Sequence, residues 1–295
     1  MVRMADRLPF TKGHGTENDF VLVPDLDGAL GLSAARAAAL ADRRAGIGAD
    51  GVIRVVPAEL SDDPAVRAQA GDATWFMDYR NADGSLSEMC GNGTRVFAAF
   101  LRREGLEAAD EFSIATRAGV KHVRADGDGF AVDLGPWRLT DPVTAQRDGF
   151  DALVHLDDTD PFSALRVDLG NPHTVVALPE QIELDSVDLT RAPRVRPEPP
   201  NGTNVELVRP MGPGHVAMRV HERGVGETRS CGTGACAAAI ATSFWAGALD
   251  TGSTWLVDVP GGRLSVRLLP GFGVELAGPA VLVADGTVVL SDLPA

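Results

Sequence analysis

Two of the three cysteines in this sequence begin closely similar motifs. Cys90 opens Cys-Gly-Asn-Gly-Thr in the first half of the chain, and Cys231 opens Cys-Gly-Thr-Gly-Ala in the second half. A strand pattern that ends at a polar residue, Asn81 or Glu222, precedes each cysteine, and a helical pattern follows it. The repetition predicts two similar domains, each presenting one thiol at a strand–loop–helix junction.

A thiol at the start of a helix is suited to acid–base chemistry. The helix N-terminus carries roughly +0.5 charge and several unpaired N–H groups, so the sequence predicts a lowered pKa for both thiols. The neighbouring glycines allow the same N–H groups to hold a substrate carboxylate. Two such thiols on opposite faces of one carbon can invert it, because one removes the α-proton and the other returns a proton. This scheme requires neither pyridoxal phosphate nor a metal.

Strand patterns outnumber helical patterns along the chain. Strands are predicted at Phe20–Val23, Gly51–Val56, Thr74–Tyr79, Val216–Val220 and Leu264–Leu268. Helices are predicted at Ser33–Arg43, with Ser33 as the N-cap, and at Asn92–Glu104 and Thr233–Ala248. The proline-rich segment Pro193–Asn201 predicts an exposed loop, and the polar segment Ala58–Gly71 a surface excursion. The pattern favours an α+β fold with much antiparallel sheet.

Composition excludes several classes of partner. The 295 residues carry a net charge of −14 with a pI of about 4.8, which argues against nucleic acid. The most apolar helical segment, Thr233–Leu249, is too short and too mild for a membrane span, and the N-terminus lacks an apolar signal core. Three cysteines without a disulfide framework indicate a reducing compartment, so we expect a cytoplasmic protein. The expected partner is a small-molecule substrate.

Eight motifs in order resemble the diaminopimelate epimerase family, which consists of cofactor-independent amino-acid epimerases. They are Lys12-Gly-His-Gly with Asn18-Asp-Phe; Gly46-Ile-Gly-Ala-Asp50; Asn81-Ala-Asp-Gly-Ser85; Cys90-Gly-Asn-Gly; Gly170-Asn-Pro-His173; Thr203-Asn-Val-Glu206; Glu222-Arg-Gly-Val-Gly-Glu-Thr228; and Cys231-Gly-Thr-Gly. The resemblance covers most of the chain.

The resemblance implies a role for each matching position. Cys90 and Cys231 match the catalytic pair, and His173 and Glu222 match residues that tune the thiols. Gly91, Asn92, Gly232 and Thr233 match the helix-end groups that bind the carboxylate at the reacting centre. Asn18, Asn81, Asn171 and Asn204 match substrate-binding asparagines. Glu222 and Arg223 match the pair that grips the distal amino-acid end, since an Arg fork suits a carboxylate and a Glu suits an ammonium.

The resemblance also implies an architecture and an activity. It implies two pseudo-symmetric domains of mixed or antiparallel sheet around a central helix, with the active site in a cleft between them. The domains are expected at residues 1–134 and 135–278, with a final strand in 279–295 returning to the first domain. The implied activity is interconversion of LL- and meso-diaminopimelate in lysine and peptidoglycan precursor synthesis, by a homodimer without cofactor or metal.

The chain departs from the family pattern at two places. Thr16-Glu17 stands where Gly-x-Gly is common, and Gly51 stands where a glutamine is common. Gly51 offers no side chain, so one substrate contact is expected to be lost or replaced by backbone or water.

The three cysteines allow other interpretations. Cys236 lies among alanines and is interpreted as a small core residue, and the chain lacks the ligand pairs of a zinc site or a redox Cys-x-x-Cys. A related enzyme acting on proline or hydroxyproline is a second hypothesis, although such a substrate has no distal end for Arg223 to grip. A redox sensor in which Cys90 and Cys231 form a disulfide is a third hypothesis, and oxidation is in any case expected to crosslink and inactivate the enzyme.

Overall fold

The chain forms two compact units. The computed structural model describes residues 7–156, 160–249 and 252–294. Unit 1 contains the chain up to Val132 together with the segment from Gly278 onward, and unit 2 contains Asp133–Ala277.

Strands dominate both units. Unit 1 begins with β1 (Arg7–Gly15), β2 (Asn18–Pro24), α1 (Ala34–Ala41), β3 (Gly51–Pro57), α2 (Pro64–Arg67), β4 (Trp75–Asn81), α3 (Gly91–Arg103), β5 (Glu111–Ala115), β6 (Lys121–Asp126) and β7 (Gly129–Pro136). Unit 2 follows with β8 (Arg138–Leu139), α4 (Pro142–Asp148), β9 (Ala152–His155), β10 (Phe162–Asp168), β11 (Pro172–Ala177), β12 (Arg194–Arg196), β13 (Asn204–Gly212), β14 (His215–Glu222), β15 (Gly226–Thr228), α5 (Gly232–Trp245), β16 (Thr254–Val259), β17 (Gly262–Leu269) and β18 (Gly273–Pro279). The last strand, β19 (Val281–Val289), belongs to unit 1.

The two units repeat one pattern of strand pairing. In unit 1 the order is β19, β1, β2, β3, β4, β5, β6, with the β2–β3 and β4–β5 pairs parallel and the others antiparallel. In unit 2 the order is β10, β11, β13, β14, β16, β17, β18, with β11–β13 and β14–β16 parallel. The predicted α+β class with two similar sheet-rich domains is confirmed.

Each unit buries one long helix against its sheet. In unit 1, Phe20 and Leu22 of β2 share a core with Phe97 of α3, while Val21 and Val23 pack with α1 on the opposite face. Alternate residues of one strand thus pack on opposite faces, as the period of a strand requires. In unit 2, α5 packs on β10, β11, β13 and β14 and is buried along most of its length. Its alanine-rich sequence permits close approach to the sheet.

The five predicted strands are confirmed, and all three helices end earlier than predicted, α3 by one residue at Arg103. Helix α1 stops at Ala41 because the Asp42 carboxylate accepts the N–H groups of Arg44 and Ala45, each at 2.7 Å. Helix α5 stops at Trp245, and Gly247 (φ 65°) supplies the left-handed residue that ends it. The N-cap prediction is confirmed, since Ser33 Oγ accepts from Arg36 N at 3.1 Å.

Two loop predictions are wrong in part. Within Pro193–Asn201, Arg194–Arg196 forms β12, which pairs with β9 because Val195 is buried in the core of unit 2. Within Ala58–Gly71 the chain forms a 3-10 turn and α2, whose Val66 is fully buried. One apolar residue in each segment is therefore enough to attach it to the core. No helix in the described part of the chain combines the length and apolar character that a membrane span needs.

Candidate active site

In unit 1, Cys90 is the N-cap of α3. Its sulfur accepts a hydrogen bond from Gly93 N at 3.5 Å and donates to Asn18 Oδ1 at 3.7 Å. Asn92 Nδ2 donates to the same oxygen at 3.2 Å. Three predicted site residues, Asn18, Cys90 and Asn92, therefore lie together beside the first turn of α3, whose N–H groups have no partners within the helix.

A charged network fixes the Asn18 amide. Asn18 Nδ2 donates to Asp50 Oδ2 at 2.8 Å, and Arg43 bonds both Asp50 and Asp19 at 2.7 Å. Burial raises the pKa of the Asp19 carboxyl, but hydrogen bonds from Arg43 and Lys12 outweigh this effect and hold the pKa well below its usual range. The Asn18 oxygen is thereby directed toward Cys90 and Asn92.

The turn before Asn18 accounts for the first departure from the family pattern. Thr16 (φ 51°) and Glu17 (φ 62°) both have left-handed backbone and form a two-residue hairpin turn, for which Asn and Gly are preferred. Thr16 is buried, and its hydroxyl accepts from Arg95 at 3.3 Å; Glu17 N donates to His14 Nδ1 at 3.2 Å. The same turn is thus made without glycine.

The second departure, Gly51, has a steric cause. A Cβ at this position would lie 2.4 Å from Tyr79 Cε2 and 2.6 Å from Arg80 O. The Tyr79 ring, packed edge-on against Phe20 at 5.7 Å between centroids, occupies the space of a side chain at position 51. Gly51 pairs with Asn81, the last residue of β4, whose amide donates to Ser85 Oγ at 3.0 Å. The side chain of Asn81, a predicted site residue, is thus hydrogen-bonded within the turn that follows β4.

In unit 2, Cys231 is the N-cap of α5 and is only 7% exposed. Its thiol is hydrogen-bonded to the carboxylate of Glu222, the last residue of β14, and its sulfur lies 3.7 Å from Thr233 Oγ1. Thr228 Oγ1 also donates to Glu222 at 2.5 Å. Glu222 therefore directly contacts the thiol, and its tuning role stays a prediction.

The predicted lowering of the pKa is wrong for Cys231. Burial raises the pKa of this thiol well above its ordinary value, and the charges of Glu222 and Glu206 raise it further. Hydrogen bonds from Gly234 N and Thr233 lower it, but less. The helix terminus favours the thiolate as expected, yet desolvation and two nearby carboxylates outweigh it.

A chain of hydrogen bonds connects Cys231 to the interior of unit 2. Thr233 Oγ1 accepts from Asn171 Nδ2 at 3.3 Å, and Asn171 Oδ1 lies 3.1 Å from His173 Nε2. His173 Nδ1 lies 2.6 Å from Glu206 Oε1, and both side chains are fully buried. The structure thus unites the predicted residues Asn171, His173 and Thr233 with Cys231.

Glu206 is the residue that sequence reasoning missed. It belongs to the family motif Thr203-Asn-Val-Glu206, but the sequence analysis predicts no role for it. Its signal was a single charged residue within the apolar run Val205-Glu-Leu-Val208, a position at which a buried charge needs a partner.

Asn204 and Arg223 lie together at the end of β14. Asn204 Oδ1 accepts from Arg223 N at 2.9 Å, and Asn204 Nδ2 donates to Pro172 O at 3.3 Å. The Arg223 guanidinium donates to Asn201 O at 2.9 Å. Gly91 and Gly232 are the first residues of α3 and α5, where their N–H groups are oriented as an anion site requires.

Within residues 7–156, 160–249 and 252–294, no group of three or more His, Cys, Asp or Glu side chains is arranged to hold a metal ion. Cys236 is fully buried in α5.

Comparison with known proteins gives one family. The sequence model described as diaminopimelate epimerase matches residues 10–140 and 165–283. A diaminopimelate epimerase from Thermobifida fusca is 49% identical over 96% of this chain and 99% of its own length. One from Streptomyces coelicolor is 48% identical over 96% of each chain.

Solved structures agree in fold. A phenazine biosynthesis protein of the PhzF family from Bacillus anthracis has a TM-score of 0.68 at 17% identity, covering 96% of this chain and 99% of its own. A hydroxyproline epimerase from Agrobacterium vitis, with bound trans-4-hydroxy-L-proline, has a TM-score of 0.68 at 14% identity, covering 98% and 94%. At these identities the likeness shows the fold alone.

Proposed function

Because this chain belongs to the diaminopimelate epimerase family and is an isomerase of the epimerase class, we propose that it interconverts LL- and meso-diaminopimelate. The similar relatives are named diaminopimelate epimerase, and the match covers nearly their whole length. The observation that carries the proposed mechanism is the pair of thiols, Cys90 and Cys231, each at the N-cap of a buried helix.

We propose that both thiols act on the same α-carbon, from opposite faces. The thiolate of one cysteine takes the α-proton as the Cα–H bond breaks, and the S–H of the other delivers its proton to the opposite face. The product complex then holds the two thiols with exchanged protonation states. The step is balanced without any redox or metal partner, and the reverse reaction uses the same groups in exchanged roles.

Cys231 is the proposed proton donor at rest. Its burial and its two carboxylate neighbours favour the protonated thiol. Glu222 accepts the hydrogen bond of that thiol, which holds the S–H group in place, and burial raises the pKa of Glu222 itself. In this scheme Cys90, whose sulfur accepts a hydrogen bond from Gly93 N, is the base in the direction in which Cys231 donates its proton.

The developing carbanion is stabilised through its carboxylate. The first-turn N–H groups of α3 and α5, at Gly91, Asn92, Gly232 and Thr233, are the proposed donors to that carboxylate. The proposed distal grip is Arg223, with Asn204 holding its backbone N–H. Assembly as a homodimer, a cytoplasmic location and a place in lysine and peptidoglycan precursor synthesis stay predictions.

The test is solvent exchange at the α-carbon. Cys90→Ala and Cys231→Ala are each expected to lower the rate of deuterium incorporation from D2O into LL- and meso-diaminopimelate by about 10²- to 10⁴-fold or more, because each removes one acid–base group. Cys236→Ala is the matched control, since that cysteine is buried in α5 among alanines, and it should keep the parent rate. NMR under reducing conditions measures the exchange.

Several outcomes would contradict the proposal. Near-parent exchange in both single variants would refute the two-thiol mechanism. Exchange of proline or hydroxyproline, with none of diaminopimelate, would identify a different substrate on the same fold. A reduced protein that is inert while its oxidised form is functional would favour the redox hypothesis.

A further inference from the structure

Glu206 is a carboxyl group buried completely inside unit 2. It lies on β13 opposite Val175 on one neighbouring strand and Val220 on the other, with an exposed fraction of 0%. Its Oε2 has no hydrogen-bond partner among the described residues. Since burial of a carboxyl in apolar surroundings is unfavourable, its retention needs a compensating function.

The neighbours of Glu206 determine where the protons lie. Asn171 Nδ2 is directed to Thr233, so Asn171 Oδ1 faces His173 Nε2 and can only accept, which makes Nε2 the donor. His173 Nδ1 and Glu206 Oε1 lie 2.6 Å apart and form a hydrogen bond. Glu206 fixes the imidazole so that the ring orients Asn171, and Asn171 in turn orients Thr233 beside the sulfur of Cys231.

Glu206 also lies directly against the start of α5. A Cβ on Gly234 would lie 2.9 Å from Glu206 Oε1 and 3.3 Å from Cys231 Sγ. The second glycine of Cys-Gly-Thr-Gly thus leaves room for the carboxyl next to the thiol. The titratable groups that face Cys231 are Glu206 on β13, Glu222 on β14 and, through the hydrogen-bond chain, His173 on β11.

The equivalent layer of unit 1 is apolar. In the parallel pair β2–β3, Phe20 and Ile53 stand at the positions that His173 and Glu206 hold in the parallel pair β11–β13. A Cβ on Gly93, the equivalent of Gly234, would lie 3.3 Å from both Phe20 and Ile53. The same architecture therefore places two apolar side chains, Phe20 and Ile53, against the first turn of the helix after Cys90. In unit 2 it places the Glu206 carboxyl and the His173 imidazole at the equivalent positions.

We propose that Glu206 is a positioning residue: through His173 and Asn171 it orients Thr233 beside the sulfur of Cys231, and its own carboxyl at the start of α5 keeps Cys231 as the protonated, proton-donating thiol, which makes the two thiols chemically unequal. This proposal rests on the proposed function for its catalytic meaning. Its physical content, the inequality of the two thiols, is independent of the substrate.

The test uses Cys90 as the control within the same molecule. Reduced full-length protein without substrate is alkylated with iodoacetamide across a pH series, and peptide mass mapping reports Cys90 and Cys231 separately. Glu206→Gln keeps hydrogen-bonding capacity and removes the carboxylate. It should move the alkylation midpoint of Cys231 to lower pH, with a rate increase of about threefold or more at a pH below that midpoint, because a nearby negative charge disfavours the thiolate. The Cys90 profile should not move.

An unchanged Cys231 profile, or an equal shift at both cysteines, would overturn the proposal. If Glu206→Gln does not fold by circular dichroism, the double variant His173→Phe with Glu206→Ile installs the apolar pair of unit 1 and is judged by the same criteria.

A kinetic measurement separates this proposal from the proposed function. In Glu206→Gln, kcat for diaminopimelate is expected to fall about tenfold or more with KM near the parent value, because a positioned proton donor acts in the transition state. If the parent protein does not turn over diaminopimelate, the proposed function is refuted. The alkylation profiles then still test whether Glu206 makes the two thiols unequal. Normal parent turnover with coincident alkylation profiles would refute only the role of Glu206.

Discussion

At the scale of single residues, the two cysteines begin similar motifs but have different environments. Cys90 is partly exposed and bonded to Asn18, whereas Cys231 is buried and bonded to Glu222. Asn18 comes from a strand distant in sequence and Glu222 from β14, which precedes Cys231. The motif fixes the position of each sulfur, and these strand residues determine its protonation. Acid–base asymmetry between the thiols thus depends on a few side chains outside the motif.

A single methyl group added at Gly51 is predicted to lower the stability of the protein. Gly51→Ala should destabilise the protein by about 1–3 kcal/mol, because its Cβ would overlap the Tyr79 ring and the Arg80 carbonyl. The midpoint of urea unfolding measures the change.

The control for this prediction is Tyr79→Val, which copies Val220 at the equivalent position of unit 2. In that background Gly51→Ala should cost less but still more than zero, since the Arg80 oxygen remains 2.6 Å away. Equal costs in both backgrounds would show that Tyr79 does not fill this space.

At the scale of elements, short connections determine how each thiol is presented. Helices α3 and α5 begin immediately after their cysteines, and the parallel pairs β2–β3 and β11–β13 hold an asparagine beside each helix start. The turn at Thr16–Glu17 leads directly into Asn18. Two non-glycine residues with left-handed backbone make that turn strained.

Relief of that strain is predicted to stabilise unit 1. Glu17→Gly should raise the free energy of unfolding by about 1 kcal/mol, since glycine adopts a positive φ without steric cost. Thr16→Gly should gain less, because it also removes the buried hydroxyl that accepts from Arg95. A lower unfolding midpoint for Glu17→Gly would contradict this account of the turn.

Much of the secondary structure follows from local sequence. The alternation in Val216, Met218 and Val220 predicted β14, and the Cys-Gly motifs predicted where α3 and α5 begin. Each of these signals is local and spans fewer than about a dozen residues. The family resemblance predicts Asn18 and Asn171 as site residues. In the structure, each lies beside the start of the helix that follows its cysteine.

What sequence reasoning missed depends on contacts between distant strands. The proximity of Glu206 to His173 and Cys231 follows from the register of β11 with β13, which no local pattern specifies. The raised pKa of Cys231 depends in part on the same register, because burial and the carboxylates of Glu222 and Glu206 reverse the expectation from the helix terminus. Likewise, the predicted loop at Pro193–Asn201 contains β12 because Val195 pairs with Val154 of β9.

At the scale of the whole molecule, the two units are built differently along the chain. Unit 2 is one continuous segment, Asp133–Ala277, whereas unit 1 is completed by the segment from Gly278 onward. In unit 1, β19 pairs with β1 from Arg7 to His14 and covers that edge of the sheet. The core of unit 2 is therefore encoded without interruption, and that of unit 1 is not.

Fragments should reflect this difference. Residues 133–277 alone are expected to give a cooperative thermal transition by circular dichroism, because the pairs that join β10, β11, β13, β14, β16, β17 and β18 to one another lie within the segment. Residues 1–132 alone should lack one, and addition of a peptide of residues 278–295 should restore it, because without that segment β1 loses β19, one of its two neighbouring strands. A cooperative transition in 1–132 alone would show that β19 is dispensable.

The late return of β19 has a consequence for biosynthesis. A chain emerging from the ribosome usually folds its N-terminal domain first, at about 5–20 residues per second. Here unit 2 has all its strands before residues 281–289 are translated, while unit 1 still lacks the strand that closes β1. The half of the protein that is synthesised first is therefore the half that finishes folding last, and nascent chains should hold unit 1 open until translation is nearly complete.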